Sequence, residues 1–185
     1  MNEKKSNVPK LRFPEFTNTW EQRRFSDLIS RVTTASDESD LPRVEYEDII
    51  SGQGKLNKDL KEKKSKKTGI RFEPNDVLFG KLRPYLQNWL NPDFTGVAVG
   101  DWWVLRPNET SSKFIYTLIQ TSKYQDVANQ STGTKMPRAD WSIVSKTLFS
   151  TPIDITEQDK IGDLFYNLDN LITLHQRKFI HAMSD

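Results

Sequence analysis

Apolar residues run together or alternate in three places along the chain and recur at helical spacing further on. Residues 41–50, IRFEPNDVLF (70–79) and TGVAVGDWWVLRP (95–107) are rich in β-branched and aromatic residues, which suit a pleated, packed surface. They predict strands, the second broken by a Pro-Asn-Asp turn. Over 110–130 the period changes, and Phe114, Ile115, Leu118, Ile119, Tyr124 and Val127 fall at helical spacing. WEQRRFSDLIS (20–30) predicts an amphipathic helix, and WSIVSKTLF (141–149) a strand that stops before Pro152. Ahead of both, VPKLRFPEF carries Pro9 and Pro14 and predicts an extended arm.

The final segment, TEQDKIGDLFYNLDNLITLHQRKFI, keeps one period throughout. Ile161, Leu164, Leu168, Leu171 and His175 are spaced by three and four, and Phe165, Ile172 and Phe179 widen the stripe. One helix over 156–180 follows, about 37 Å long at 1.5 Å per residue. Thr156 is the expected N-cap, with Glu157 and Asp159 set against the positive end of the dipole. Asp163, Asn167, Asp169, Asn170 and Thr173 would keep the opposite face wet. Such a length exceeds what one small domain covers, so the helix is expected to stand away and seek another helix. The fold class is therefore α/β (α+β): a globular domain of mixed strands and short helices over residues 1–152, then one long helix over 153–185.

Composition narrows the chemistry. With 185 residues, 35% of them hydrophobic, the chain has room for one domain and an appendage. The absence of cysteine removes disulfides, thiolate metal sites and a cysteine nucleophile together, as fits a reducing cytoplasm. No apolar run approaches the ~18 residues of a membrane span, and MNEKKSNVPK lacks the apolar segment of a signal peptide. A soluble, cytoplasmic protein is expected, without metal or cofactor. The net charge of +2 hides a segregation. Residues 31–50 hold two cations and six acids, whereas 51–67 hold seven lysines and two acids. Lys58, Lys61, Lys63, Lys64, Lys66 and Lys67 form a run suited to a polyanion, or to plain solvent.

Enzyme motifs are incomplete. NPDF (91–94) resembles the Asn-Pro-Pro-Tyr/Phe of DNA adenine methyltransferases, but its third residue is Asp and no glycine-rich cofactor loop precedes it. Asp48, Asp59 and Lys61 are the nearest approach to a metal-dependent nuclease. His175 and His181 have no visible partner for acid–base work. Binding is better supported. In KLRPYLQNW (81–89), Lys81 and Arg83 point the same way on an extended chain, and Tyr85, Gln87 and Asn88 add flat or bidentate side chains. The loop STGTKMPRADW (131–141) offers Ser131, Thr132, Gly133, Thr134 and Lys135 to phosphates and Arg138 to a base edge.

Four stretches together carry a family resemblance: PKLRFPEF…W near the start, NDVLFGKLRPYLQN, GTKMPRADW, and TPIDITEQDKIGDLFYNLDNLITLHQRK. Over residues 9–178 the chain resembles the specificity subunit of type I restriction-modification enzymes. The resemblance implies a target recognition domain that binds double-stranded DNA without catalysis. It further implies a long helix that pairs antiparallel with a counterpart and docks the modification subunits and, through them, the restriction subunit. Ile161, Leu164, Phe165, Leu168, Leu171, Ile172 and His175 would form the helix interface. The family's chain has two such halves and this one matches the first: an excised half, a half-subunit, or a product whose second copy replaces the missing half. A stand-alone nuclease and a helical adaptor with no DNA role are the alternatives.

Overall fold

The computed structural model describes residues 9–60, 66–130 and 135–182, with side chains of the last helix described as far as His175. Beyond the arm, strand β1 (Glu21–Arg24) runs into a single helical turn α1 (Phe25–Leu28) and leaves as β2 (Ile29–Val32). Short strands β3 (Ala35–Ser36), β4 (Arg43–Val44), β5 (Ile49–Ile50) and β6 (Lys55–Leu56) follow, with a 3-10 turn at Tyr46–Asp48. Next come β7 (Gly69–Phe72), β8 (Val77–Gly80), a 3-10 turn at Pro84–Leu86, β9 (Trp89–Leu90), β10 (Gly96–Ala98) and β11 (Trp102–Pro107). The chain ends with α2 (Ser112–Leu118), α3 (Ser122–Ala128), α4 (Trp141–Val144), β12 (Leu148–Thr151) and α5 (Ile155–Ala182).

Strands with apolar residues at consecutive positions need cover on both faces, and β8 and β11 have it. They lie at the centre of an antiparallel sheet ordered β2-β11-β8-β9. Val77 and Phe79 of β8, with Trp103 and Leu105 of β11, join a core cluster shared with Phe25, Ile115, Tyr124 and Phe149. Leu78, Trp102 and Val104 point the other way, into a second cluster with Val44, Phe72 and Ala98 from the sheet β3-β7-β10-β4. The VLF and WWVL runs are thus the shared wall of two cores. In the second sheet β10 pairs antiparallel with β7 and parallel with β4. Two small pairs, β1 with β12 and β5 with β6, complete the topology.

The expected helix over 20–30 is not formed. Glu21–Arg24 pairs with β12, and Ile29–Val32 with β11, so backbone pairing takes both flanks and leaves only Phe25–Leu28 helical. Nor is 141–149 one strand. The Asp140 carboxylate accepts the Ser142 N–H at 2.7 Å, capping the turn α4, and pairing begins only at Leu148. Helical periodicity over 110–130 is right, but it breaks into α2 and α3, whose caps are Ser111 and Thr121. The strand expected over 41–50 is two short strands around a 3-10 turn.

Helix α5 starts one residue before the expectation, and its cap is Asp154 rather than Thr156: the Asp154 carboxylate accepts the Thr156 N–H at 2.8 Å. Glu157 does more than complement the dipole. It is buried and receives both Nε and Nη2 of Arg12, at 2.6 and 2.7 Å, and Nε1 of Trp20 at 3.1 Å. Next to it, the buried Gln158 accepts the Ser111 N–H at 2.9 Å and donates to the Pro152 carbonyl at 2.9 Å. One turn on, Gly162 crosses α2 so closely that a Cβ would lie 2.4 Å from Cβ of Lys113.

That contact yields a stability test. Gly162→Ala gains helix propensity of about 1 kcal/mol. The added methyl must nevertheless push two helices apart, so a net loss of about 1–3 kcal/mol is expected. Denaturant midpoints measure it; a midpoint above wild type would show that α2 and α5 do not pack this way.

Candidate nucleic-acid interface

Strand β8 ends at Gly80, and the chain beyond it meets the loop before α4. Arg83 N–H donates to the Pro137 carbonyl at 2.7 Å, Ala139 N–H donates to that of Lys81 at 2.8 Å, and Leu82 bridges Arg138 antiparallel. Two segments more than fifty residues apart in sequence thereby become one two-stranded rim. Arg83 (φ 49°) and Gln87 (φ 55°) both adopt left-handed backbone around the Pro84–Leu86 turn, with Pro84 buried and Tyr85 and Leu86 exposed.

A third segment supports the rim from behind. Gly100, at φ 103°, turns the chain between β10 and β11 and brings Asp101 under the Lys81 backbone. Lys81 N–H donates to the Asp101 carbonyl at 2.9 Å. The Tyr46 hydroxyl donates to that same carbonyl at 2.6 Å and accepts the Leu82 N–H at 3.1 Å. Burial pushes the Tyr46 hydroxyl well above its ordinary value, so it stays a neutral donor, and its ring stands edge-on to Trp102 at 4.7 Å. The Asp101 carboxylate lies 3.6 Å from Lys81 Nζ and receives Arg138 Nη2 at 3.1 Å and Nε at 3.4 Å. The hydrogen bond to Asp101 raises the Arg138 guanidinium above its ordinary value.

Of the residues read from sequence, Lys81, Arg83 and Arg138 are therefore brought together, with exposed Lys135 three residues from Arg138. Tyr85 and Gln87 are exposed on the adjoining turn. Asn88 is not available there: it is buried, and its amide oxygen accepts from Ser51 Oγ at 3.1 Å, because β9 begins beside it. Ser131, Thr132, Gly133 and Thr134 lie outside the described residues, as do Lys61, Lys63 and Lys64. Lys58 pairs with Asp48 at 2.8 Å and Lys67 with Glu45 at 3.1 Å, while Lys66 is exposed. The candidate nuclease residue Asp48 is instead a buried structural carboxylate that also accepts the Glu45 N–H at 2.9 Å. Among the described residues no group of three or more His, Asp or Glu side chains can hold a metal. NPDF is structural as well: Asn91 donates to Ser112 Oγ at 2.8 Å, and Phe94 packs edge-on to Phe72. Sequence reasoning missed Tyr46 and Asp101; the Gly-Asp pair in the turn between β10 and β11 was the only local signal of the second.

The model of the type I restriction modification DNA specificity domain matches residues 17–181. The chain belongs to that family. No curated protein matches it in sequence. Among solved structures it is similar to the HsdS subunit from Thermoanaerobacter tengcongensis, with 20% identity and a TM-score of 0.70 over 96% of this chain and 48% of that one. A structure titled for complex assembly and conformational transition of the type I R-M system is 19% identical, with a TM-score of 0.65 over 91% of this chain and 46% of the other. The S subunit of a type I restriction-modification system from M. genitalium is 15% identical, with a TM-score of 0.56 and coverage of 92% and 46%. At these identities the likeness is one of fold, and this specificity domain spans about half the length of each of those chains.

The long helix of this specificity domain does not stand away along its whole length. Its first turns lie on α2, and Ile161 packs against the domain's own core instead of serving a partner. Further along, Lys113 Nζ meets Asp163 at 2.5 Å and Lys55 Nζ donates to Thr173 Oγ1 at 2.8 Å. Of the face expected to be wet, Asp163, Asp169, Asn170 and Thr173 are therefore half-buried on the domain side, and Asn167 is exposed. Leu164, Phe165, Leu168, Leu171, Ile172 and Leu174 are exposed, as is His175. No described helix is long and apolar enough to cross a membrane.

Tyr46→Phe tests the rim. Loss of the hydroxyl leaves the Leu82 N–H and one bond of the Asp101 carbonyl unsatisfied, costing about 1–3 kcal/mol. Amide exchange at Leu82 should quicken; unchanged exchange there would show that the hydroxyl does not hold the rim.

Proposed function

We propose that this chain recognises double-stranded DNA in a sequence-specific way as one half of a type I specificity subunit. It directs methyltransferase subunits, and through them a restriction subunit, to a split target in the cytoplasm, and it contributes no catalytic residue. Residues 1–152 form the recognition domain and 153–185 the docking helix. The observation that carries this reading is the pairing of Lys81–Arg83 with Pro137–Ala139, which gathers cations and an exposed tyrosine on one rim. Base edges are read by the rim, and phosphates are met by Lys135 and the 58–67 lysines.

Retention of duplex DNA with a steep salt dependence is the direct test. Replacing Lys58, Lys66 and Lys67 with Gln should weaken binding to every sequence and flatten the log–log salt slope by about 0.9 per lost phosphate contact. A slope unchanged in this variant removes these lysines from the interface. With S-adenosylmethionine and DNA, the purified chain should transfer no methyl group; transfer by the chain alone would contradict a purely recognising role.

The exposed apolar face of α5 supports an antiparallel pair with a second copy, which would set two recognition domains at opposite ends of a two-fold assembly. Changing Leu168 and Leu171 to Asp should convert such a dimer to monomer in light scattering, since each charge would be buried unpaired. A wild-type chain that stays monomeric at tens of micromolar would rule out the homodimer and leave DNA recognition standing.

A further inference from the structure

We infer that Asp101 is the positioning residue that sets sequence discrimination, acting through Arg138 as the rim's guanine-reading side chain. The inference rests on the DNA-recognition reading above and goes beyond it by separating roles among the rim cations. A guanidinium donates along two edges. In Arg138 the Nε–Nη2 edge faces the Asp101 carboxylate, at 3.4 and 3.1 Å, so the direction of the Nη1–Nη2 edge is set by a fixed acceptor rather than by a flexible stem. That second edge has the spacing to meet O6 and N7 of guanine.

The acceptor is itself held. Asp101 follows the left-handed Gly100, its carbonyl is taken by the Lys81 N–H and the Tyr46 hydroxyl, and its side chain is only 28% exposed against 54% for Arg138. Among the described residues Arg83 has no such support: its Nε is shielded from solvent and finds no hydrogen-bond partner there. The charge of Asp101 matters as much as its position. A carboxylate within 3.6 Å of both Lys81 and Arg138 repels a phosphate that approaches either cation. It therefore lowers affinity for DNA backbone at the very place where it steadies a contact to bases, which is how a negative group raises discrimination.

The test is selection from a library of random-sequence duplexes by the full chain, wild type and variants, with binding of an unselected random duplex measured in parallel. Wild type should enrich a motif containing a guanine that Arg138→Lys loses. Asp101→Asn, which keeps size but removes charge, should lose preference at that same position by about ten-fold. It should also bind the unselected duplex more tightly than wild type does. Asp101→Glu should restore the preference, an outcome a merely structural role would not produce. If Asp101→Asn leaves the motif intact, or weakens all positions and the unselected duplex alike, the assignment is overturned. Should thermal melting show Asp101→Asn to be unfolded, the Arg138→Lys and Asp101→Glu motifs decide: a motif unchanged in the former or lost in the latter overturns it. A wild-type chain that enriches no motif defeats the recognition reading itself, and this inference with it.

Discussion

A buried carboxylate at the start of the last helix is the constraint on which the arrangement of parts depends. Glu157 cannot sit in the interior alone, because an unpaired charge there is strongly unfavourable. Its partners are Arg12 and Trp20 from the arm, so the first described residues and the last helix are fixed by the same group. Gln158 extends the junction to the N-terminus of α2, and Gly162 lets the two helices close to backbone contact. Helix α2 also packs on β8 and β11, the strands that separate the two cores. The direction of α5 is thus transmitted through α2 to the sheet from whose end the Lys81–Arg83 rim emerges.

Much of this was legible in the sequence, and the failures have physical causes. Strands β8 and β11 were visible because burial on both faces writes a continuous apolar run, and α5 because one period persists for seven turns. The segment 20–30 reads as a helix because Phe25, Leu28 and Ile29 have helical spacing, whereas its flanks are claimed by β11 and β12, contacts no local pattern encodes. The apolar stripe of α5 is plain in the periodicity, but periodicity does not say which face meets the domain. Here Lys55 and Lys113 attract the polar face, leaving the leucines outward.

The candidate site divides in the same way. Cations announce themselves in a sequence, Lys81, Arg83, Lys135 and Arg138 among them; that the two segments meet follows from backbone pairing, seen only in three dimensions. Asn88 had the right chemistry at the wrong register, since the residue before β9 turns inward to Ser51. Asp101 escaped because its meaning comes from neighbours twenty and thirty-seven residues away. An acid among cations looks like neutralisation in a charge count and like orientation once distances are known.

The left-handed backbone at Arg83 and Gln87 has a bearing on how new specificities can arise. Non-glycine residues in that region each cost on the order of 1–3 kcal/mol, and they persist only where surrounding contacts over-determine them. At Arg83 the Pro137 carbonyl does so, and at Gln87 the N–H of Gly52 does. A loop held in this way forfeits little conformational entropy when a duplex arrives. Its shape is set by backbone contacts at Arg83 and Gln87, so the exposed Tyr85 between them can be exchanged while the backbone that presents it stays put. Under the proposed recognition role, the rim would be a frame in which the reading surface drifts by point substitution without the fold having to be solved again.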